Sequence, residues 1–375
     1  MFRERHERGH EMLSFVPFLS LKGYALTKST ICQSKMSETL YRGAFPIPQR
    51  CSLSGRGGDP SIMEAGLNMP GVKALQQKIR ELLIKRNAIL LSHNYQRPEV
   101  QDIADFCGDS LELSIKASQT DAEVIVFCGV HFMAETASIL CPDKKVLLPV
   151  LHAGCPMAEM ISARDLQKKK QEMPQGTVVI SYVNTTAEVK AESDVCCTSA
   201  NAIQVAKRVD PSVPILMTPD RNLAKYTRQH TDRTIYYWDG YCPIHNKLTA
   251  AQVKRVKEAY PEGIFLAHPE CPPEVLVLAD KIKSTSGMLA HAAKSPSREF
   301  IIGTETGIIH ALSKANPDKL FVPADPSMIC IDMKKTGLRE IVAALESLEP
   351  EIKVKEEIRK KAKQAVDRML AVPLG

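Results

Sequence analysis

Three stretches of the chain carry the same chemistry at the same spacing, and this limits the available folds more than any other feature. A short apolar run ends in a polar cluster three times. Ala88-Ile89-Leu90-Leu91 runs into Ser92-His93-Asn94-Tyr95, Val178-Val179-Ile180 into Ser181-Tyr182-Val183-Asn184, and Gly263-Ile264-Phe265-Leu266 into Ala267-His268-Pro269-Glu270. Twelve residues after His93, Tyr182 and His268 come Asp105, Asp194 and Asp280; five residues after each aspartate comes a hydroxyl, Ser110, Ser199 or Thr285. A second apolar strand follows at residues 124–127, 214–217 and 300–302, and a third near residues 146–148, 235–237 and 320–322. Beyond the third strand stands a single cysteine, Cys155, Cys242 or Cys330, and these lie 87 and 88 residues apart.

Strands that alternate with helices imply parallel sheets covered on both faces. The expected fold is therefore α/β, with three homologous three-layer α/β/α units, each a βαβα repeat of about 87 residues, around a pseudo-threefold axis. In such sheets ligands bind beyond the carboxyl ends of the strands, which is where the polar residues and the cysteines fall. A solenoid would repeat as well, but stacking alone requires no polar residue and no thiol at every strand end. The expected organisation is an N-terminal extension (1–70), three α/β repeats (71–160, 161–247, 248–336) and C-terminal helices packing back on the repeats (337–375).

The extension has no sustained periodicity and contains Pro46, Pro48 and the stretch Gly55-Arg56-Gly57-Gly58-Asp59-Pro60. Its charged start and short apolar stretch (12–21) are like a targeting signal, but Glu4, Glu7, Glu11 and Pro17 argue against one. Disorder, or a translation start placed too early with Met63 or Met69 as the true one, is the expectation. Half of the net charge of +6 lies in this part, so the repeats are nearly neutral and carry no nucleic-acid footprint. No run of 18 apolar residues is present to span a membrane. Eleven cysteines spread over 375 residues do not form a disulfide scaffold and point to a reducing, cytoplasmic setting.

One cysteine from each repeat brings three thiolates to a common point. Structural zinc takes four ligands, often in C-x-x-C pairs, and no such pair occurs in this sequence. A [4Fe–4S] cluster normally has four cysteine ligands; with three, one iron is open to act as a Lewis acid toward a hydroxyl or carboxylate. Dehydration, with His or Tyr moving protons, suits that arrangement. Cys107, Cys128, Cys196 and Cys197 lie in or beside apolar runs and read as buried small hydrophobes. Cys141 and Cys271 precede prolines, and Cys271 stands next to Glu270. Ser110, Ser199 and Thr285 open apolar-periodic stretches, where they serve either as helix caps or as ligand contacts. Gly303-Thr304-Glu305-Thr306-Gly307 is a weak phosphate-loop signal.

The strings His93-Asn94-Tyr95, Gly108-Asp109-Ser110, Gly154-Cys155-Pro156-Met157, Tyr182-Val183-Asn184, Thr198-Ser199-Ala200-Asn201, Cys242-Pro243, His268-Pro269-Glu270 and Ser284-Thr285-Ser286-Gly287 resemble quinolinate synthase. The resemblance runs from about Val72 to Leu370. It implies one [4Fe–4S] cluster per chain on Cys155, Cys242 and Cys330. It also implies condensation of iminoaspartate (iminosuccinate) with dihydroxyacetone phosphate to quinolinate, phosphate and two waters, in de novo NAD biosynthesis. By the same resemblance His93, Ser110, Tyr182, Val183, Asn184, Ser199, His268, Pro269, Glu270 and Thr285 form the substrate-binding set, and Tyr95, His268 and Glu270 transfer protons. Expected partners are the two small-molecule substrates, with hand-over of the imine from L-aspartate oxidase or aspartate dehydrogenase, and neither nucleic acid nor membrane. Cys330 stands outside any C-x-x-C-x-x-C string, so no redox switch is expected there. Two other classes fit the residues alone: a different iron–sulfur hydro-lyase acting on a hydroxy acid, and a non-enzymatic iron–sulfur sensor or ligand-binding module.

Overall fold

In the first repeat, β1 (Ala88–His93), β2 (Phe106–Gly108), β3 (Val124–Cys128) and β4 (Lys145–Leu147) form a parallel sheet ordered β2-β1-β3-β4. The second repeat places β5 (Val178–Tyr182), β6 (Val195–Cys197), β7 (Ile215–Thr218) and β8 (Ile235–Tyr237) in the order β6-β5-β7-β8. The third places β9 (Ile264–Ala267), β10 (Lys281–Ile282), β11 (Glu299–Gly303) and β12 (Leu320–Pro323) in the order β10-β9-β11-β12. This computed structural model describes residues 70–372; the expectations for the extension, with Cys32 and Cys51, lie outside the described residues.

Each sheet has four strands, where the sequence pattern anticipates three. The additional strands, β2, β6 and β10, are two or three residues long, too short to carry a period of their own. They are held by the repeated aspartate. Asp105 donates its amide to the Leu90 carbonyl (3.0 Å) and accepts the Leu90 amide on Oδ2 (2.8 Å). Asp194 does the same with Val179 (3.1 and 2.7 Å), and Asp280 with Phe265 (3.0 and 2.7 Å). One side chain thus sets the register of the second strand against the first in every unit. Cys107, Cys196 and Cys197, read as buried hydrophobes, mark two of these short strands.

Side chains alternate across a strand, and here the two faces go to different cores. Leu91, Ile125, Ile180, Met217, Leu266 and Phe300 all enter one central cluster shared by the three sheets. Their neighbours form separate outer clusters: Leu90 and Val126 over the first sheet, Val179 and Leu216 over the second, Phe265 and Ile301 over the third. The repeats therefore share a core and do not bury their inner faces independently. The last two helices also cover repeats. Leu338, Ile341 and Leu345 of helix Leu338–Ser347 meet Ile79 and Leu83 of helix Pro70–Lys85 over the first sheet. Helix Glu356–Leu370 inserts Ala365, Val366 and Met369 into the central cluster beside the second unit. Among the described residues, no helix is long and apolar enough to cross a membrane.

Strand order reverses at the first strand of each unit, because β1, β5 and β9 are each flanked by the next two strands in sequence, one on either edge. Such a switch point opens a crevice at the carboxyl edge. His93 and Tyr182 are the last residues of β1 and β5, and His268 is the first residue after β9.

Candidate active site

A cavity lies where the three carboxyl edges meet. The first unit contributes His93, Tyr95, Ser110 and Cys155; the second Tyr182, Asn184, Ser199 and Cys242; the third His268, Glu270, Thr285 and Cys330. Of the residues expected at the site, Val183 and Pro269 do not line it. Val183 packs into the central cluster, and Pro269 is buried between two residues that do line it.

Backbone geometry orients the two histidines alike. The Tyr95 amide donates to His93 Nδ1 (3.1 Å), and the Glu270 amide donates to His268 Nδ1 (3.4 Å). With Nδ1 accepting, each ring carries its proton on Nε2, and His268 Nε2 lies 3.1 Å from Ser199 Oγ. Burial pulls both pKa values down to about 3, so at neutral pH both are uncharged donors. The 3.9 Å approach of His268 Nδ1 to Glu270 is accordingly no ion pair.

The repeated hydroxyls are not the helix caps. Asp109 caps helix Ser110–Gln119 by accepting the Leu111 and Glu112 amides (both 3.0 Å). Thr198 Oγ1 accepts the Ala200 amide (3.2 Å), and Ser284 caps helix Thr285–Lys294 by accepting the Gly287 amide (3.2 Å). In the first and third units the capping is done one residue earlier, and in the second the helix begins only at Ala202 with no side-chain cap, which leaves Ser110, Ser199 and Thr285 for the cavity. Thr285 Oγ1 is held by Asn94 Nδ2 at 3.3 Å. The Asn184 side-chain oxygen is buried and has no partner among the described residues.

Two residues of the site were not anticipated. His245, on the short helix Pro243–Asn246, places Nδ1 2.7 Å from Glu270 Oε2 and Nε2 2.7 Å from Thr304 Oγ1. Thr304 in turn lies 2.5 Å from the Tyr95 hydroxyl. A continuous path of hydrogen bonds therefore joins Tyr95 to Glu270, and Tyr182 completes it by bonding to Glu270 and Ser199. Burial, with Glu270 nearby, raises the Tyr95 and Tyr182 phenols well above their ordinary value, so both are proton donors at rest. Burial alone would also raise Glu270, but His245 beside it and the bonds from His245 and Tyr182 hold it below the usual carboxylate range. The Cys-x-x-His spacing of Cys242 and His245 was the one trace of His245 in the sequence. Thr304 belongs to the Gly303–Gly307 string, and that string is not a phosphate loop: its amides at Thr306 and Gly307 are taken by the Met328 carbonyl and the Glu305 carboxylate.

The donor set suits a soft metal centre. Backbone amides two or three residues on point at each sulfur: Met157 and Ala158 at Cys155, His245 at Cys242, Asp332 and Met333 at Cys330. Hydrogen bonds to sulfur favour thiolate and tune an iron–sulfur centre. Burial pushes the Cys155 thiol up to about 12 and raises the other two, a cost that a bound cation reverses. Among the described residues no fourth cysteine lines the cavity; Cys271 is buried in the third outer cluster, its Sγ toward the Gly303 carbonyl at 3.4 Å. Cys242, His245 and Glu270 could also be read as a mononuclear site. Against this, Nδ1 and Oε2 at 2.7 Å are at hydrogen-bond distance, whereas two ligands on one tetrahedral zinc stand roughly 3.3 Å apart.

Residues 77–371 match the family described as quinolinate synthetase A protein (NadA). A quinolinate synthase of Geotalea uraniireducens (strain Rf4) is 56% identical over 299 residues, covering 80% of this chain and 98% of that protein. Quinolinate synthases of Geobacter sp. (strain M21), 53% identical over 301 residues, and Methanosarcina barkeri (strain Fusaro / DSM 804), 50% identical over 300, each cover 80% of this chain and 98% of their own length. The match spans all three repeats and includes every residue that lines the cavity, and on that basis this chain belongs to the quinolinate synthase family.

Proposed function

We propose that this protein condenses iminoaspartate with dihydroxyacetone phosphate to quinolinate, phosphate and two waters, using a [4Fe–4S] cluster on Cys155, Cys242 and Cys330, as a cytoplasmic step of de novo NAD biosynthesis. The observation that carries this reading is the arrival of one thiol from each repeat, each with one or two backbone amides beside its sulfur, at a single cavity with neutral histidine donors. When bound, the cluster would supply an open iron, a Lewis acid for loss of a hydroxyl.

The chain's own residues do the rest. His93 and His268 offer Nε2–H donors to carboxylate or carbonyl oxygens, and the hydroxyls of Ser110, Ser199 and Thr285, beside helix starts, bind phosphate or carboxylate. Asn184 presents an unpartnered oxygen to a donor such as the imine N–H. Glu270, ionised and backed by His245, takes a proton, and Tyr95 gives one; each positioned group contributes about 10²–10⁴-fold. Iminoaspartate hydrolyses readily in water, which favours direct hand-over from the enzyme that oxidises L-aspartate.

The test is anaerobic purification with iron and sulfide analysis, followed by assay with both substrates. About four irons and four sulfides per chain, with quinolinate formed, support the proposal. Bound metal without sulfide would favour the mononuclear site. Turnover without dihydroxyacetone phosphate would favour another hydro-lyase, and no turnover by cluster-loaded protein would favour a sensor.

A further inference from the structure

Two buried carboxylates occupy equivalent places in the second and third repeats. Asp220 lies two residues past β7 and Glu305 two residues past β11, and they are 2% and 1% exposed. Asp220 Oδ2 accepts the amide of Cys242 at 3.1 Å, and Glu305 Oε1 accepts the amide of Cys330 at 3.0 Å. The second oxygen of each is also engaged, by the Leu223 amide at 2.7 Å and the Gly307 amide at 2.7 Å. The same place in the first repeat is taken by Val130. There the thiol-bearing loop is tied differently, the Gly154 amide donating to Asp332 Oδ1 at 3.2 Å.

We propose that Asp220 and Glu305 are positioning residues, each fixing one thiol-bearing residue through its amide so that the sulfur meets the cavity without searching. The need is greatest at Cys330, because residues 324–337 form neither helix nor strand and hydrogen bonds must do what regular structure does elsewhere. Glu305 extends the hold across the site: Lys334 lies 3.0 Å from its Oε1 and donates to the Tyr95 carbonyl. The Lys334 amide donates to the Cys330 carbonyl at 3.3 Å. One carboxylate thus sets both the third thiol and the strand end that carries Tyr95. The Lys334–Glu305 pair is charge-assisted, and such bonds are about twice as strong as neutral ones.

The inference rests on the reading of these cysteines as ligands, and the experiment separates the two. Asp220→Asn and Glu305→Gln keep shape but turn one of the two amide-accepting oxygens into a donating NH2 group. In iron-free protein, amide hydrogen exchange should accelerate about 10- to 100-fold at Cys330 in Glu305→Gln and at Cys242 in Asp220→Asn, each without change at the other cysteine. A general loss of stability would accelerate both. In reconstituted protein the same variants should release iron to a chelator faster by a similar factor. Glu305→Asp, which keeps the charge but shortens the reach, should give the same local loss and serves if the amide variants do not fold. Unchanged exchange at the paired cysteine would overturn the inference. A wild-type protein that holds no cluster would overturn the proposed function, while the exchange measurement would still decide this one.

Discussion

His245 Nδ1 and Glu270 Oε2 meet at 2.7 Å, with both side chains almost fully withdrawn from solvent. The contact crosses repeats: His245 lies three residues beyond the thiol of the second, and Glu270 stands at the strand end of the third. It also explains how a carboxylate stays ionised in an interior that by itself would protonate it. The group expected to move a proton is therefore poised by a residue outside its own repeat.

Replacing His245 by Leu should remove that support. A buried carboxylate losing a charge-assisted donor costs about 2–3 kcal/mol, read from urea denaturation of iron-free protein. Glu270 is depressed in the folded state, so its contribution is present above the ordinary carboxylate value of 4.5 and lost as pH falls below it. In His245→Leu burial dominates and the sign reverses: the carboxyl titrates higher, and stability falls as pH rises through its unfolded value. His245→Gln, which keeps a donor, should recover part of the loss. Equal stability in wild type and the Leu variant, at every pH, would refute this account.

His93 and His268 should give the protein a second acid sensitivity, at higher pH. Both are lowered from 6.5 to about 3, so the folded state binds fewer protons than the unfolded chain between those values. Stability then falls as pH drops below 6.5, by about 1.4 kcal/mol per histidine for each pH unit, or roughly 3 kcal/mol for the pair near pH 5.5. Urea midpoints of iron-free protein between about pH 7.5 and pH 5.5 should show this slope, and the double variant His93→Gln, His268→Gln should flatten it.

The residues that could be read from sequence were those written three times. Cysteines 87 and 88 residues apart and polar strand ends at fixed offsets are statements about topology, because one fold repeated must return equivalent residues to equivalent places. The strands β2, β6 and β10 escaped notice because their register comes from an aspartate side chain and not from apolar periodicity. The constant position of Asp105, Asp194 and Asp280 was nevertheless the visible trace of them. His245, Thr304, Asp220 and Glu305 were hidden for a different reason. Each acts through a partner 22 to 209 residues away; His245 and Thr304 occur once, and Asp220 and Glu305 differ in residue type and are replaced by Val130 in the first repeat, so none is written three times.

Thiol substitutions should separate ligands from bystanders that are equally buried. Cys242→Ala should abolish iron retention and quinolinate formation. Cys271→Ala should keep both, since that sulfur packs in an outer cluster against the Gly303 carbonyl, and should cost only about 1 kcal/mol for the small void it leaves. Iron retained by Cys242→Ala, or lost from Cys271→Ala, would reassign the ligands.

The one-residue offset between caps and hydroxyls makes neighbouring substitutions behave oppositely. Asp109→Ala and Ser284→Ala remove acceptors from the first turns of their helices and should each lower stability by about 1 kcal/mol. Ser110→Ala and Thr285→Val leave those caps intact, so iron-free Ser110→Ala should unfold close to the wild-type midpoint and Thr285→Val should lose only the long 3.3 Å bond from Asn94. Their effect should fall on catalysis instead. A lost hydrogen bond to a charged phosphate or carboxylate is worth about 1.5–3 kcal/mol, which raises KM for the substrate it holds by about 10- to 100-fold. Steady-state kinetics with each substrate varied in turn would show which of the two each hydroxyl serves. A hydroxyl variant that loses stability and keeps its KM would return that residue to a capping role.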